Sequence, residues 1–223
     1  MSQSLTVTLP DGSQKPVPAG TRPLDVAQSI SPRLADDAVV ARVNGQLYDL
    51  TRPLEGDAKL EILTSRNPEA LEVYRHSTAH LLAAAVLELF PETKLGIGPP
   101  TEAGFYYDFQ RETPFTPEDL EKIEARMWEL QAKSLPYERR LTSKPDGLKK
   151  YADDWMKVEL IKEKADDVFS EYTLGPSFID FCRGPHVAAT SRIKAFKLLS
   201  VAGAYWKGDE HNARLQRIYG TAF

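Results

Sequence analysis

Arg75-His76-Ser77-Thr78-Ala79-His80 places two of the chain's four histidines at i and i+4 within a long apolar run. On a helix, those imidazoles stand one above the other on a single face. Further along, Phe178-Ile179-Asp180-Phe181-Cys182-Arg183-Gly184-Pro185-His186 holds the only cysteine and a third histidine, again four positions apart. Histidine and cysteine are the side chains that activate water near neutral pH or bind a soft metal. Extended backbone through 178–182 puts Asp180 and Cys182 on one face and Ile179 and Phe181 on the other. Gly184-Pro185 then turns the chain so that His186 returns toward Cys182. The chemistry stays open at this point. One cysteine and three histidines suit tetrahedral zinc, and a site that uses all four is structural. The same groups suit a metal-free pocket in which imidazoles and Asp180 orient water. A chance cluster of core residues is disfavoured by the matched spacing. A cysteine nucleophile with a histidine base ranks lowest, since no thiol-protease motif surrounds Cys182.

The elements that must position these pairs follow from pattern. In residues 1–63, Leu5 to Leu9 alternates, Pro10-Asp11-Gly12-Ser13 is a turn, and an extended run continues to Val17. A short helix spans 25–30. Strands are predicted over 38–43, 46–50 and 58–63, the first two joined by Asn44-Gly45. That order predicts a β-grasp domain, and nothing in it suggests chemistry. Asn67 reads as an N-cap with Pro68 at the first helical position. The helix it starts carries His76 and His80 to about Phe90, with Leu71, Tyr74, Leu81, Leu82, Val86 and Leu89 as its buried stripe. Glycines and prolines then bracket an aromatic strand, Phe105 to Phe109. Thr116 caps a helix to about Ser134 that buries Leu120, Ile123, Met127 and Leu130. Residues 136–141 extend, 146–154 look helical, and Trp155 to Ile161 reads as a strand. The fold class is α+β: domain 1–63, a ubiquitin-like β-grasp, precedes domain 64–223, a long helix on an antiparallel sheet.

Composition excludes several classes. Of 223 residues, 42% are hydrophobic and 27% charged, as in an ordinary globular protein. No apolar run reaches membrane-spanning length, and the first residues lack the pattern of a signal peptide. A single cysteine rules out an internal disulfide and fits a reducing compartment. The net charge of −4 is unevenly spread, at −2 over 1–63, −7 over 64–182 and +5 over 183–223. A basic segment on an acidic body hints at a polyanion partner, or is simply a solvated face.

With those residues in view, the chain resembles the N-terminal half of bacterial threonyl-tRNA synthetases. The likeness covers its whole length. It rests on Leu9-Pro10-Asp11-Gly12-Ser13, Val43-Asn44-Gly45, Arg75 to His80, Gly104-Phe105-Tyr106-Tyr107-Asp108, Cys182 to His186, Ala202 to Asp209 and Gln216 to Ala222. The resemblance implies a TGS-type β-grasp domain and an editing domain that hydrolyses serine mischarged onto threonine tRNA. The partner would be the acceptor 3′ end bearing a seryl ester, in the cytoplasm, with no membrane involved. One methyl group discriminates by only ~1–3 kcal/mol, so a second sieve is needed. By position, His76, His80, Cys182 and His186 would form the editing site. Asp180 would hold the seryl amino group or the terminal ribose. Lys157 would stand near the water; otherwise it is a surface lysine on a strand. Tyr106 or Tyr107 would line the pocket, or else belong to an aromatic core, and His211 reads as a surface residue. Alanyl-type relatives bind zinc at this constellation; the threonyl type works without it, so no cofactor is expected. ATP, magnesium and zinc would belong to a catalytic domain, absent here, through which the parent dimerises; the fragment would be a monomer without ligase activity. The alternatives are a non-catalytic tRNA-docking module and a zinc-binding alanyl-type editing domain.

Overall fold

Alternating residues on either side of Pro10-Asp11-Gly12-Ser13 fold into a hairpin. In the computed structural model, which describes residues 4–223, its strands are β1 (Ser4–Thr8) and β2 (Gln14–Pro18). Gly12 supplies the φ of 83° that the turn requires. Helix α1 (Pro23–Ile30) is followed by α2 (Pro32–Asp37), started by the Ser31 hydroxyl, which accepts from Leu34 N–H. Only Ala35 of α2 is buried, so the sequence carries no apolar stripe to announce it. Strands β3 (Ala38–Val43) and β4 (Gln46–Tyr48) meet at Asn44 and Gly45, whose φ values of 49° and 86° are those of a type I′ hairpin. Strand β5 (Ala58–Thr64) lies between β1 and β3, parallel to the former, in a sheet ordered β2-β1-β5-β3-β4. Val7, Val26, Leu50 and Leu60 fill the core beneath it. This is the expected β-grasp. Residues up to Tyr74, together with 184–188, form one compact unit; 75–183 and 189–223 form a second.

Helix α3 runs Pro68–Leu89. The Asn67 carbonyl accepts from Ala70 and Leu71 N–H, as expected of an N-cap. Its side chain instead accepts from Thr64 N–H at 2.9 Å, bracing the turn ahead of the helix. Ser77 to Val86 are buried on every side. A helix enclosed all round needs no polar face, which is why its apolar residues form no single stripe. Leu71 is only half-buried and Leu89 is exposed, against expectation.

The rest of the second unit is two antiparallel sheets with helices. Strands β6 (Lys94–Leu95) and β7 (Phe105–Gln110) precede α4 (Pro117–Ala132), whose Thr116 and Asp119 form a capping box and whose buried residues are Ile123, Met127 and Leu130. Leu120, expected among them, is half-buried. Strand β8 (Tyr137–Ser143) leads into α5 (Lys144–Lys150), earlier and shorter than predicted because Ser143 caps it. Trp155 to Ile161, predicted as a strand, belongs to helix α6 (Trp155–Lys164). Asp154 accepts from Lys157 N–H at 3.2 Å as its N-cap, and burial of Met156, Lys157, Leu160 and Ile161 follows helical spacing. Then come β9 (Val168–Leu174), β10 (Phe178–Phe181), β11 (Phe196–Tyr205) and β12 (Arg214–Ala222). One sheet is ordered β10-β9-β8, the other β11-β12-β7-β6. Among the described residues, no helix is long and apolar enough to cross a membrane.

Candidate active site

His76 and His80 share one face of α3, with ring centroids 4.8 Å apart and planes at 81°. Cys182, just past β10, turns its sulfur to that face; Sγ lies 3.5 Å from His76 Nε2. The nitrogen and sulfur donors of these three residues lie within 4.8 Å of one another. Cys182 is held in sheet geometry beyond the strand's end. Its N–H donates to the Ser170 carbonyl at 3.1 Å, and the Ser170 hydroxyl donates back to the Cys182 carbonyl at 2.7 Å. The alternation read from sequence holds: Phe178, Asp180 and Cys182 are buried, Ile179 and Phe181 half-buried. His80 lies between Phe178 and Tyr107, at centroid distances of 5.0 and 6.4 Å.

His186 belongs to the segment grouped with the first unit. Its side chain is buried, and its N–H donates to Asp49 Oδ1 at 2.9 Å. Gly184, with a φ of 67°, makes the turn read from sequence.

A second buried set stands behind His80. The Lys157 ammonium is 2.5 Å from Asp180 Oδ1 and donates to the Gly96 carbonyl at 2.9 Å. The Tyr107 hydroxyl donates to Asp180 Oδ2. Lys157 is therefore not the surface strand lysine that its sequence context suggests. It projects inward from a helix. Asp180, expected to reach substrate, has both oxygens engaged within the protein. Gly98 is required here: a Cβ on it would lie 2.1 Å from the Tyr107 ring.

Burial dominates the electrostatics. It lowers His76 to about 4. It holds His80 well below the usual imidazole value, helped by the nearby Lys157 and by repulsion from His76 when both rings are protonated. Both rings are thus neutral at pH 7 and can accept a proton from water. Burial raises the Asp180 carboxyl, opposed by Lys157 and by hydrogen bonds from Lys157 and Tyr107. Burial and the Asp180 charge raise Tyr107 well above a free phenol, so its hydroxyl remains a donor.

Tyr106 points the other way, as strand alternation demands. Its ring lies under the Arg217 guanidinium at 3.7 Å and 6.0 Å from Tyr219. Arg217 in turn grips Asp108 at 2.6 and 2.8 Å. His211 is exposed, as expected. Sequence reasoning missed Ser170 and the Gly96 carbonyl. A backbone acceptor has no residue-type signature, and a lone hydroxyl has almost none.

The arrangement offers two neutral imidazoles and a thiol beside a closed ion pair. That set can activate water, and its nitrogen and sulfur donors also suit zinc. Residues 5–64 match the TGS domain, and residues 170–219 match the threonyl and alanyl tRNA synthetase second additional domain. The chain is 54% identical over 222 residues to a threonine–tRNA ligase of Geobacter sp. (strain M21), covering 98% of this chain and 35% of the relative. It is 53% identical to that of Pelobacter propionicus (99% and 35%) and 50% identical to that of Acidobacterium capsulatum (100% and 38%). It spans little more than a third of the length of these relatives.

Proposed function

We propose, on the premise that the chain is the TGS and editing-type N-terminal region of a threonyl-tRNA synthetase, that it hydrolyses serine from mischarged threonine tRNA. The observation that carries this is the His76–Cys182 contact at 3.5 Å, with His80 edge-on to His76. Water attacks the ester carbonyl carbon, with a neutral imidazole taking its proton. The bond to the ribose oxygen then breaks, and the proton passes to that oxygen. Free serine and tRNA with an intact 3′-terminal ribose leave. We assign the base to His76, which is neutral at pH 7 and less enclosed than His80. His186, four residues beyond Cys182, is the remaining residue of the motif that the resemblance implies. Asp180, held by Lys157 and Tyr107, orients the wall behind His80 rather than binding substrate directly.

The partner is the acceptor end of threonine tRNA, in the cytoplasm. Charging of tRNA, with its ATP, magnesium and zinc, falls to the rest of such a protein, and this chain acts as a monomer without a cofactor. Incubating seryl- and threonyl-charged threonine tRNA with the purified chain tests the reading. Faster loss of the seryl ester alone is expected, and equal lifetimes with and without protein would overturn it.

A zinc site is the second reading, favoured by the three clustered donors. Stoichiometric zinc on elemental analysis, lost in Cys182→Ser, would replace the metal-free account.

A further inference from the structure

Two hydroxyls outside the reacting cluster grip its backbone. Tyr137, the first residue of β8, donates to the Ser77 carbonyl at 2.7 Å. Ser77 follows His76 directly, within the turn that separates it from His80. The hydroxyl of Ser170, on β9, donates to the Cys182 carbonyl at 2.7 Å, alongside the bond from the Cys182 N–H to the Ser170 backbone carbonyl at 3.1 Å. Both are buried, Tyr137 at 4% and Ser170 at 8% exposure. Both also belong to one sheet: Tyr137 is the register partner of Leu174, which lies on the same strand as Ser170. The two grips are thus about 13 Å apart along β9.

We propose that Tyr137 and Ser170 are positioning residues that set the approach of His76 to Cys182, by tying the helix and the strand that carry them to a single sheet. The proposal deepens the ester-hydrolysis reading and rests on it for its catalytic meaning. Apolar packing is non-directional. A hydrogen bond is directional and fixes both distance and angle. A displacement of about 1 Å at reacting groups costs on the order of a hundredfold in rate. Burial pushes the Tyr137 hydroxyl well above the ordinary phenol range, so it stays a donor at any working pH. Neither hydroxyl touches substrate in this scheme; each acts through the backbone beside a residue that does.

The test uses Tyr137→Phe, Ser170→Ala and Ser170→Thr in the purified chain. Its deciding readout needs no tRNA: the second-order rate of Cys182 alkylation by iodoacetamide. Tyr137→Phe and Ser170→Ala are each expected to change that rate at least about threefold, while Ser170→Thr, which keeps the hydroxyl, retains the wild-type rate. On the seryl ester, the first two should lower kcat about tenfold with KM within twofold. Wild-type alkylation rates in both Tyr137→Phe and Ser170→Ala would overturn the proposal, whatever their melting temperatures. If the wild-type chain fails to hydrolyse the seryl ester, the editing reading falls, and the alkylation rates still decide whether these hydroxyls place Cys182.

Discussion

The Lys157 ammonium and the Asp180 carboxylate meet at 2.5 Å with both side chains no more than 5% exposed. Taking two charges out of water is costly, and the pair recovers that cost only because each has further partners, Gly96 for the lysine and Tyr107 for the aspartate. Removing either charge strands the other. Lys157→Met and Asp180→Asn should each destabilise the chain by about 3–5 kcal/mol, and the double variant by much less than the sum. Urea unfolding of the four proteins gives the coupling; additive losses would show that the two groups do not depend on each other.

Tyr107 and Tyr106 are adjacent yet should respond differently to loss of the hydroxyl. Tyr107→Phe leaves a buried carboxylate oxygen short of a donor, at a cost of about 1–3 kcal/mol. Tyr106→Phe keeps the ring under Arg217 and should lie within about 0.5 kcal/mol of wild type. Thermal melts of the two variants compare them directly.

Gly98→Ala should be poorly tolerated, because the new methyl meets the Tyr107 ring at 2.1 Å. Overpacking of this kind costs about 1–3 kcal/mol or more. Gly203→Ala, whose Cβ meets nothing within 4 Å, is the control and should shift stability by less than about 0.5 kcal/mol. Equal melting points for the two would contradict the close packing behind Tyr107.

His76 predicts a pH dependence with a definite sign. Its folded value of about 4 lies below the unfolded value of 6.5, so the unfolded chain binds the extra proton. The contribution is fully present above pH 6.5 and is lost as pH falls toward 4, at up to about 1.4 kcal/mol per pH unit. His76→Gln should flatten the curve over that window, judged as the difference between variant and wild-type unfolding midpoints at pH 7, 6 and 5. Hydrolysis of the seryl ester should likewise keep its rate through pH 6, with no acid limb near 6.5 from this residue.

Much of the site could be seen in the sequence because histidine and cysteine are scarce and their spacing is periodic. His76 and His80 needed only a helix, and Cys182 only the alternation of a strand. The β-grasp was readable from Asn44-Gly45 and the alternating runs around it. The burial of Lys157 was not, because its partners are a carboxylate on β10 and a carbonyl at Gly96, neither signalled near Trp155. The β-branched and aliphatic residues of 155–161 also favour a strand until the Asp154 cap is counted. For Tyr106 and Tyr107, alternation separated the two, but only the folded sheet says which face is inside.

The enclosure of α3 from Ser77 to Val86 has a consequence for how errors spread. A helix with one solvent face can absorb an added methyl group by rolling outward, but this one has nowhere to roll. An enlargement at Ala84, about 6 Å along the axis from His80, must push the whole rod. Both imidazoles would then move together relative to a cysteine anchored on a different element. The geometry of the pair is therefore insensitive to such a change, while its registration with Cys182 is highly sensitive. Substitutions at the alanines of this helix should read out as shifts in thiol reactivity before they read out as unfolding.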